Sequence, residues 1–258
     1  MLIDSHCHLN LLELKSDTEN IDTVVARAHQ NDVEYSLNVS VSIKDFPEVL
    51  STAEKYADVG ASVGLHPNAQ EEEVDAETLV KLGTHPKVIA IGETGLDYFR
   101  STGDVEWQRT RFRAHIQAAK QLSKPIIVHT RAAKEDTLKI LKEEDALDVS
   151  GIMHCFTEDW ETAKKCLDLG FYISFSGIVT FKNATIIQEV AHKVPLERML
   201  IETDSPYLAP IPERGKPNEP SYIKYTAEFL ANLRGLNYAD FAAMTNENFY
   251  RLFKGVKK

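Results

Sequence analysis

The sequence is short of several things, and each shortage excludes a class of protein. Its three cysteines, Cys7, Cys155 and Cys166, form no CxxC pair, so neither a disulfide scaffold nor a thiolate zinc site is expected, and free thiols fit a reducing, cytoplasmic compartment. No apolar run approaches the ~18 residues needed to cross a bilayer, and the opening Met1-Leu2-Ile3-Asp4 has no basic segment ahead of an apolar one, so neither membrane insertion nor export is expected. No GxGxxG or GxxxxGK[ST] run follows an apolar segment, which argues against an open doubly wound sheet that cradles a nucleotide on a glycine loop. Positive charge is scarce as well: 29 Lys and Arg stand against 39 Asp and Glu, a net charge of -10. A protein that coats a nucleic-acid backbone by bulk electrostatics is thereby excluded, and any phosphate substrate must be held locally.

What is present is a chain of 258 residues, 43% of them hydrophobic, long enough to hide roughly three-quarters of its unfolded surface. Short apolar runs alternate with amphipathic segments, the pattern of βαβ units that feed a parallel sheet. Strands are predicted near residues 2–4, 35–41, 60–65, 88–92, 125–129, 151–154, 171–176 and 199–203. Between them, sets such as Ile21, Val24, Val25 and Ala28, or Phe112, Ile116 and Ala119, recur at helical spacing and present one apolar face. A strand about every 28 residues, counted from His6 to Asp204, suits an α/β fold of the (β/α)8 TIM barrel type, a single domain over 1–258. Residues 206–217 carry too many prolines for a helix and are expected to cross one barrel mouth. Residues 222–253 read as C-terminal closing helices.

Five of nine histidines, His6, His8, His66, His129 and His154, fall at or just past the C-terminal ends of predicted strands. In a barrel those ends converge on the face where active sites are built. His29, His85, His115 and His192 lie on helical or loop patterns and read as ordinary side chains. In Asp4-Ser5-His6-Cys7-His8, strand alternation sends both imidazoles to one side, where one cation can hold them. Asp4 is expected on the same face, orienting an imidazole, while Cys7, and likewise Cys155 beside His154, point outward as small apolar residues. Glu93 lies between Gly92 and Gly95 at the end of the fourth strand, and its two oxygens can bridge two cations; Asp97 is a further acid of that segment. Glu202 and Asp204 form another i, i+2 pair, expected on one side with Thr203 facing out, and two adjacent carboxylates call for a compensating cation. Imidazoles and carboxylates without thiolates suit Zn, Mg or Mn, and the donors exceed one tetrahedral shell, so two divalent metal ions, or three, are expected.

Taken together and in order, Leu2-Ile3-Asp4-Ser5-His6-Cys7-His8-Leu9, Gly64-Leu65-His66-Pro67, Gly92-Glu93-Thr94-Gly95-Leu96-Asp97, Pro125-Ile126-Ile127-Val128-His129-Thr130-Arg131, His154-Cys155-Phe156, Leu200-Ile201-Glu202-Thr203-Asp204-Ser205-Pro206 and Asn218-Glu219-Pro220 resemble the segments of the TatD family of metal-dependent deoxyribonucleases, and of its YcfH-like branch. The resemblance implies a barrel of the metal-dependent hydrolase superfamily. It implies His6, His8, Glu93, His129, His154 and Asp204 as metal ligands, with Glu202 reaching a further metal in some members. The function it implies is hydrolysis of DNA phosphodiester bonds, as a 3′–5′ exonuclease on single strands or ends, since an acidic exterior disfavours wrapping a duplex. Asp204, Glu93 and Glu202 are the expected catalytic groups, and His66, Arg131 and Arg214, with Lys216, the expected phosphate contacts. The competing reading is another hydrolase of the superfamily, acting on a lactone, an amide, a phosphotriester or an aminoacyl-tRNA ester. Many of those bridge their metals with a carbamylated lysine on the fourth strand, where this chain has Glu93. A non-enzymatic binding protein would be expected to have lost a ligand, and none is missing. No obligate protein partner is evident.

Overall fold

A computed structural model describes residues 1–12, 14, 19–70 and 72–256. Eight strands, β1 (Leu2–Cys7), β2 (Val33–Asn38), β3 (Val59–Val63), β4 (Val88–Asp97), β5 (Ile126–Arg131), β6 (Gly151–Met153), β7 (Tyr172–Phe175) and β8 (Met199–Ile201), form one parallel sheet in chain order. Between successive strands run α1 (Ile21–Gln30), α2 (Phe46–Lys55), α3 (Ala76–Gly83), α4 (Glu106–Leu122), α5 (Lys134–Glu143), α6 (Trp160–Asp168) and α7 (Thr185–Lys193), and β8 is followed by α8 (Ile223–Arg234) and α9 (Tyr238–Leu252). The eight β/α units make the expected TIM barrel, nearly closed. Local chemistry sets the helix starts: the Asn20, Asp75 and Asp159 side chains accept from the backbone N–H three residues on, satisfying donors that a helix leaves without partners.

The seam between β8 and β1 is closed by bonds at and beyond the strand ends. Asp204 N donates to His6 O (2.9 Å) and His8 N to Ser205 O (2.8 Å). Ser5 Oγ donates to Ile201 O (2.9 Å) and lies 3.2 Å from Ser174 Oγ. Because β1 and β7 are not neighbours in the sheet, the two serines meet inside the barrel.

Below them, Ile3, Leu37, Ile89, Ile127, Ile152 and Leu200, contributed from around the whole sheet, form one apolar cluster with Phe249, Leu252 and Phe253. The last three lie on α9 or just after it. Asn246 Nδ2 bonds Met1 O (3.2 Å) and Asn248 Nδ2 bonds Leu196 O (2.6 Å) and Met199 O (2.9 Å), so α9 covers the N-terminal mouth of the barrel. The helices pack outside on a second cluster that includes Leu2, Val33, Ile91, Val128 and Ile201. At the other mouth, residues 206–217 hold no helix, as their prolines dictate, and Ile211 N donates to Thr180 Oγ1 (2.9 Å) past the end of β7.

Candidate metal centre

At the C-terminal mouth, His6, His8, His66, His129 and His154 gather around Glu93. Strand β4 runs through Glu93 to Asp97, five residues beyond its predicted end. Gly92 and Gly95 make this passage possible: both have φ above +130°, and a Cβ on them would stand 2.7 Å from Ile127 O and 2.0 Å from His129 O. Only a residue without a side chain lets β4 lie this close to β5.

The Glu93 carboxylate is shared between two groups of imidazoles. Oε2 lies 3.3 Å from His6 Nε2 and 3.8 Å from His8 Nε2, while Oε1 lies 3.3 Å from His66 Nε2, 3.1 Å from His129 Nδ1 and 3.1 Å from His154 Nε2. Asp204 Oδ1 joins the first group, 3.8 Å from His6 Nε2 and 3.5 Å from His8 Nε2. His6 Nε2 and His8 Nε2 are 3.2 Å apart, and the His6 and His154 rings stack at 3.8 Å.

The partners behind the rings decide which nitrogen offers a lone pair. His8 Nδ1 donates to Val39 O (2.8 Å) and His154 Nδ1 to Glu202 Oε1 (2.9 Å), so when either ring gives up its second proton Nε2 is left with the lone pair, as metal-binding histidines require. Asp97 stands behind His129, its Oδ2 3.4 Å from Nε2, and accepts from Asn68 Nδ2 (2.8 Å). His66 is the reverse case. Its Nδ1 accepts from Asn68 N (3.1 Å), so its Nε2 carries the proton and faces the nest as a donor.

Charge in this buried nest is balanced by neighbours. Burial works against ionised Glu93, but the imidazoles of His154, His66 and His129 outweigh it and hold its pKa well below the ordinary value. Burial likewise disfavours charge on His154, yet Glu93 and Glu202 raise its pKa well above normal. His8 is raised despite burial, by Asp204 and Glu93, and His129 by Asp97 and Glu93. Burial lowers His6, helped by His154, and burial lowers His66. Half-buried Asp204 is lowered, the imidazoles of His8, His154 and His6 outweighing the desolvation. The geometry fits divalent cations: buried His6 Nδ1 and Glu202 Oε2 have no hydrogen-bond partner. Among the described residues, His6–His8–Glu93 and His6–His154–Glu202 converge closely enough to hold an ion, and His129 Nδ1 faces Glu93 Oε1 on the other side, beside the His66 donor.

Three expectations need correction. Asp4 does not orient an imidazole; the β1–β2 register slips between Asp4 and Cys7, and its carboxylate accepts from Thr203 N (2.9 Å) and Thr203 Oγ1 (2.5 Å), across the seam, with burial raising its pKa to about 7. Thr203 is thereby buried at the seam. Glu202 and Asp204 are not set by strand alternation, because β8 stops at Ile201 and Asp204 adopts φ +56°; Glu202 bonds the His154 ring from behind while Asp204 faces His8 and His6. Cys7 does lie in the apolar shell, but Cys155, at φ +43°, turns its thiol to Ser176 Oγ (3.1 Å) and gives its N–H to Glu202 Oε1 (2.8 Å). Arg131 and Arg214 are exposed, the Arg131 guanidinium 4.0 Å over the Phe99 ring and that of Arg214 4.2 Å over Phe181, and Lys216 pairs with Glu213.

Sequence reasoning missed Asn68 and Asn218. The Asn218 amide donates to Thr203 O (2.8 Å) and Tyr207 O (2.7 Å), clamping the turn that carries Asp204. The only available signal was the company of Asn218 in Asn218-Glu219-Pro220.

A family model described as TatD related DNase matches residues 3–254. The chain belongs to the TatD family. Among its TatD relatives, YcfH of Escherichia coli (strain K12), named an uncharacterized metal-dependent hydrolase, is 47% identical over 252 residues, 98% of this chain and 95% of YcfH. A Salmonella typhimurium protein named 3′-5′ ssDNA/RNA exonuclease TatD is 35% identical over 243 residues, 91% of this chain and 93% of its own. The crystal structure of YjjV, a TatD homolog from Escherichia coli K12, matches with a TM-score of 0.87 at 28% identity, covering 98% of each chain. The chain is thus a metal-dependent hydrolase of the TatD family, on a TatD barrel. No helix among the described residues is long and apolar enough to cross a membrane.

Proposed function

We propose that this chain is a metal-dependent deoxyribonuclease, one catalytic unit over 1–258, that removes nucleotides in the 3′–5′ direction from single strands or strand ends. The observation that carries the reading is the divided Glu93 carboxylate, with one oxygen facing His6 and His8 and the other facing His129 and His154. With Asp204, these residues would hold two divalent ions, Zn, Mg or Mn, and Glu202 a third. Such ions supply the Lewis acidity that acidifies water and offsets phosphate charge, which a chain of net charge -10 otherwise lacks. The name of the Salmonella relative, at 35% identity, favours a nucleic-acid strand as substrate.

The chain's own groups have separable tasks. Asp204, fixed by its N–H on His6 O, accepts the proton of the attacking water. Glu202 locks the His154 ring through Nδ1 and Asp97 backs His129, so that these imidazoles meet substrate already oriented. His66 donates from Nε2 to a phosphate oxygen or the leaving group, and the exposed Arg131 and Arg214 draw the strand to the mouth. Chelator-treated protein, resupplied with Mg, Mn or Zn, tests the reading against labelled single-stranded DNA, duplex DNA, RNA, a lactone and an aminoacyl-tRNA ester. Metal-dependent shortening of the single strand from its 3′ end is the expected result. Turnover of the lactone or ester with every strand intact would reassign the chain to another hydrolase class.

A further inference from the structure

Two large aromatic rings stand exposed on opposite sides of the candidate metal centre. Phe99 is 67% exposed and Tyr207 53% exposed, whereas Phe112, Phe171, Phe175, Phe241 and Phe249 are wholly buried. Phe99 follows β4, its N–H held by Asp97 Oδ1 (3.0 Å), and Asp97 in turn backs His129. Tyr207 follows the turn after β8. Its N–H bonds Asp204 O (2.9 Å), its carbonyl accepts from Asn218 Nδ2 (2.7 Å), and its ring lies 6.3 Å from that of His8. Strands run in chain order around the barrel, so the β4/β5 rim is diametrically opposite the β8/β1 rim. Each ring is thus anchored by a short hydrogen-bonded link to one side of the nest, and Glu93 lies between them.

The Phe99 side is also cationic. Arg131, the last residue of β5, is paired with Asp97 in the sheet register and lays its guanidinium 4.0 Å over the Phe99 ring. A flat ring and a flat cation stacked together form a surface that takes a π-face and attracts a phosphate. Nucleotides unite both features, and only a single strand has base faces to offer, since a duplex buries them against their stacked neighbours.

We propose that Phe99 with Arg131 on one rim and Tyr207 on the other are stacking platforms for the two nucleobases that flank the scissile phosphate of a single strand. This rests on the nuclease reading above and adds to it the means of choosing a single strand over a duplex. The phosphate between two bases so held lies over the nest.

The test is a cycle between protein and substrate. Three 3′-labelled single strands are compared for kcat/KM: one intact, one abasic at the terminal nucleotide and one abasic at the penultimate nucleotide. Wild type should lose ~5- to 150-fold on each abasic strand, the range that stacking one base on an aromatic side chain supplies. In Phe99→Ala one of the two penalties should shrink to about twofold or less, and in Tyr207→Ala the other. Phe99→Tyr should restore the penalty that Phe99→Leu does not. Anisotropy of a labelled phosphorothioate strand should show weaker binding to Phe99→Ala, and its thermal melt should match wild type. Abasic penalties that stay full-sized in both alanine variants overturn the platforms and leave the nuclease reading standing. A wild-type protein that shortens none of the strands overturns both.

Discussion

At the N-terminal mouth of the barrel, Phe249, Leu252 and Phe253 close a lumen lined by Ile3, Leu37, Ile127 and Leu200; at the C-terminal mouth the strands deliver His6, His8, His129 and His154 within 3.8 Å of the Glu93 carboxylate. The lower end gains by removing apolar surface from water. The upper end buries a carboxylate among imidazoles, an arrangement that costs free energy unless charges compensate each other. The difference shows where each end contributes: apolar packing below stabilises the fold and thereby keeps in place a nest above that exists for chemistry.

Substitutions at the two ends should therefore separate stability from activity. Asp204→Asn keeps the shape of the side chain but removes its basicity, and general-base assistance is typically worth ~10²- to 10⁴-fold. A gel assay should show strand hydrolysis falling by at least about two orders of magnitude, with metal-stripped protein still folded and its melting temperature lowered less than by the core truncation below, since the imidazoles of His8, His154 and His6 lose only one partner carboxylate. Near wild-type cleavage would move the proton-accepting role to Glu202. At the lower end, Phe249→Ala empties the space of a wholly buried ring. A phenylalanine truncated in a core costs roughly 3–5 kcal/mol, which for a chain of this size lowers Tm by roughly 6–20 °C. Activity per folded molecule at 25 °C should persist. Equal loss of activity from both variants would erase the division between the ends.

A smaller effect sharpens the comparison, because His115 is a buried histidine that uses no cation. Its Nδ1–H donates to Arg111 O (2.8 Å) and its Nε2 accepts from Leu65 N (3.0 Å), which ties α4 to the segment after β3 and requires the neutral ring. Burial lowers its pKa to about 4 from 6.5. A depressed pKa contributes stability that is present above about pH 6.5 and lost as pH falls toward 4, on the order of 2 kcal/mol between pH 7.5 and 5. Chemical denaturation at those two pH values should show His115→Gln losing about 2 kcal/mol less than wild type over the interval. Parallel losses would place the acid sensitivity elsewhere, in the upper nest.

Much of this arrangement is legible in the amino-acid sequence. Alternating apolar and amphipathic runs announce eight strands, and the strand-end histidines announce the upper mouth, since His129 and His154 each follow an apolar run and His6 comes three residues after Leu2-Ile3. The details that fail share a physical cause. Left-handed residues at Cys155 and Asp204 break the two-residue alternation that would otherwise assign sides to Glu202, Thr203 and Cys155. The roles of Asn68, Asn218 and His115 depend on partners 15 to 50 positions away, contacts that no local pattern encodes. Phe99 is similarly silent, because an aromatic after a strand usually joins the core and only its exposure distinguishes it.

The central claim is that the upper mouth is a binuclear centre whose ions are required for strand hydrolysis. Protein stripped by chelator and then titrated with Mn²⁺, while hydrolysis of a labelled single strand and bound metal are followed in the same samples, tests this most directly. The account predicts no hydrolysis without metal and a rate that reaches its plateau only when at least two ions are bound per chain. Full activity in the stripped protein, or a plateau at one ion per chain, would contradict it.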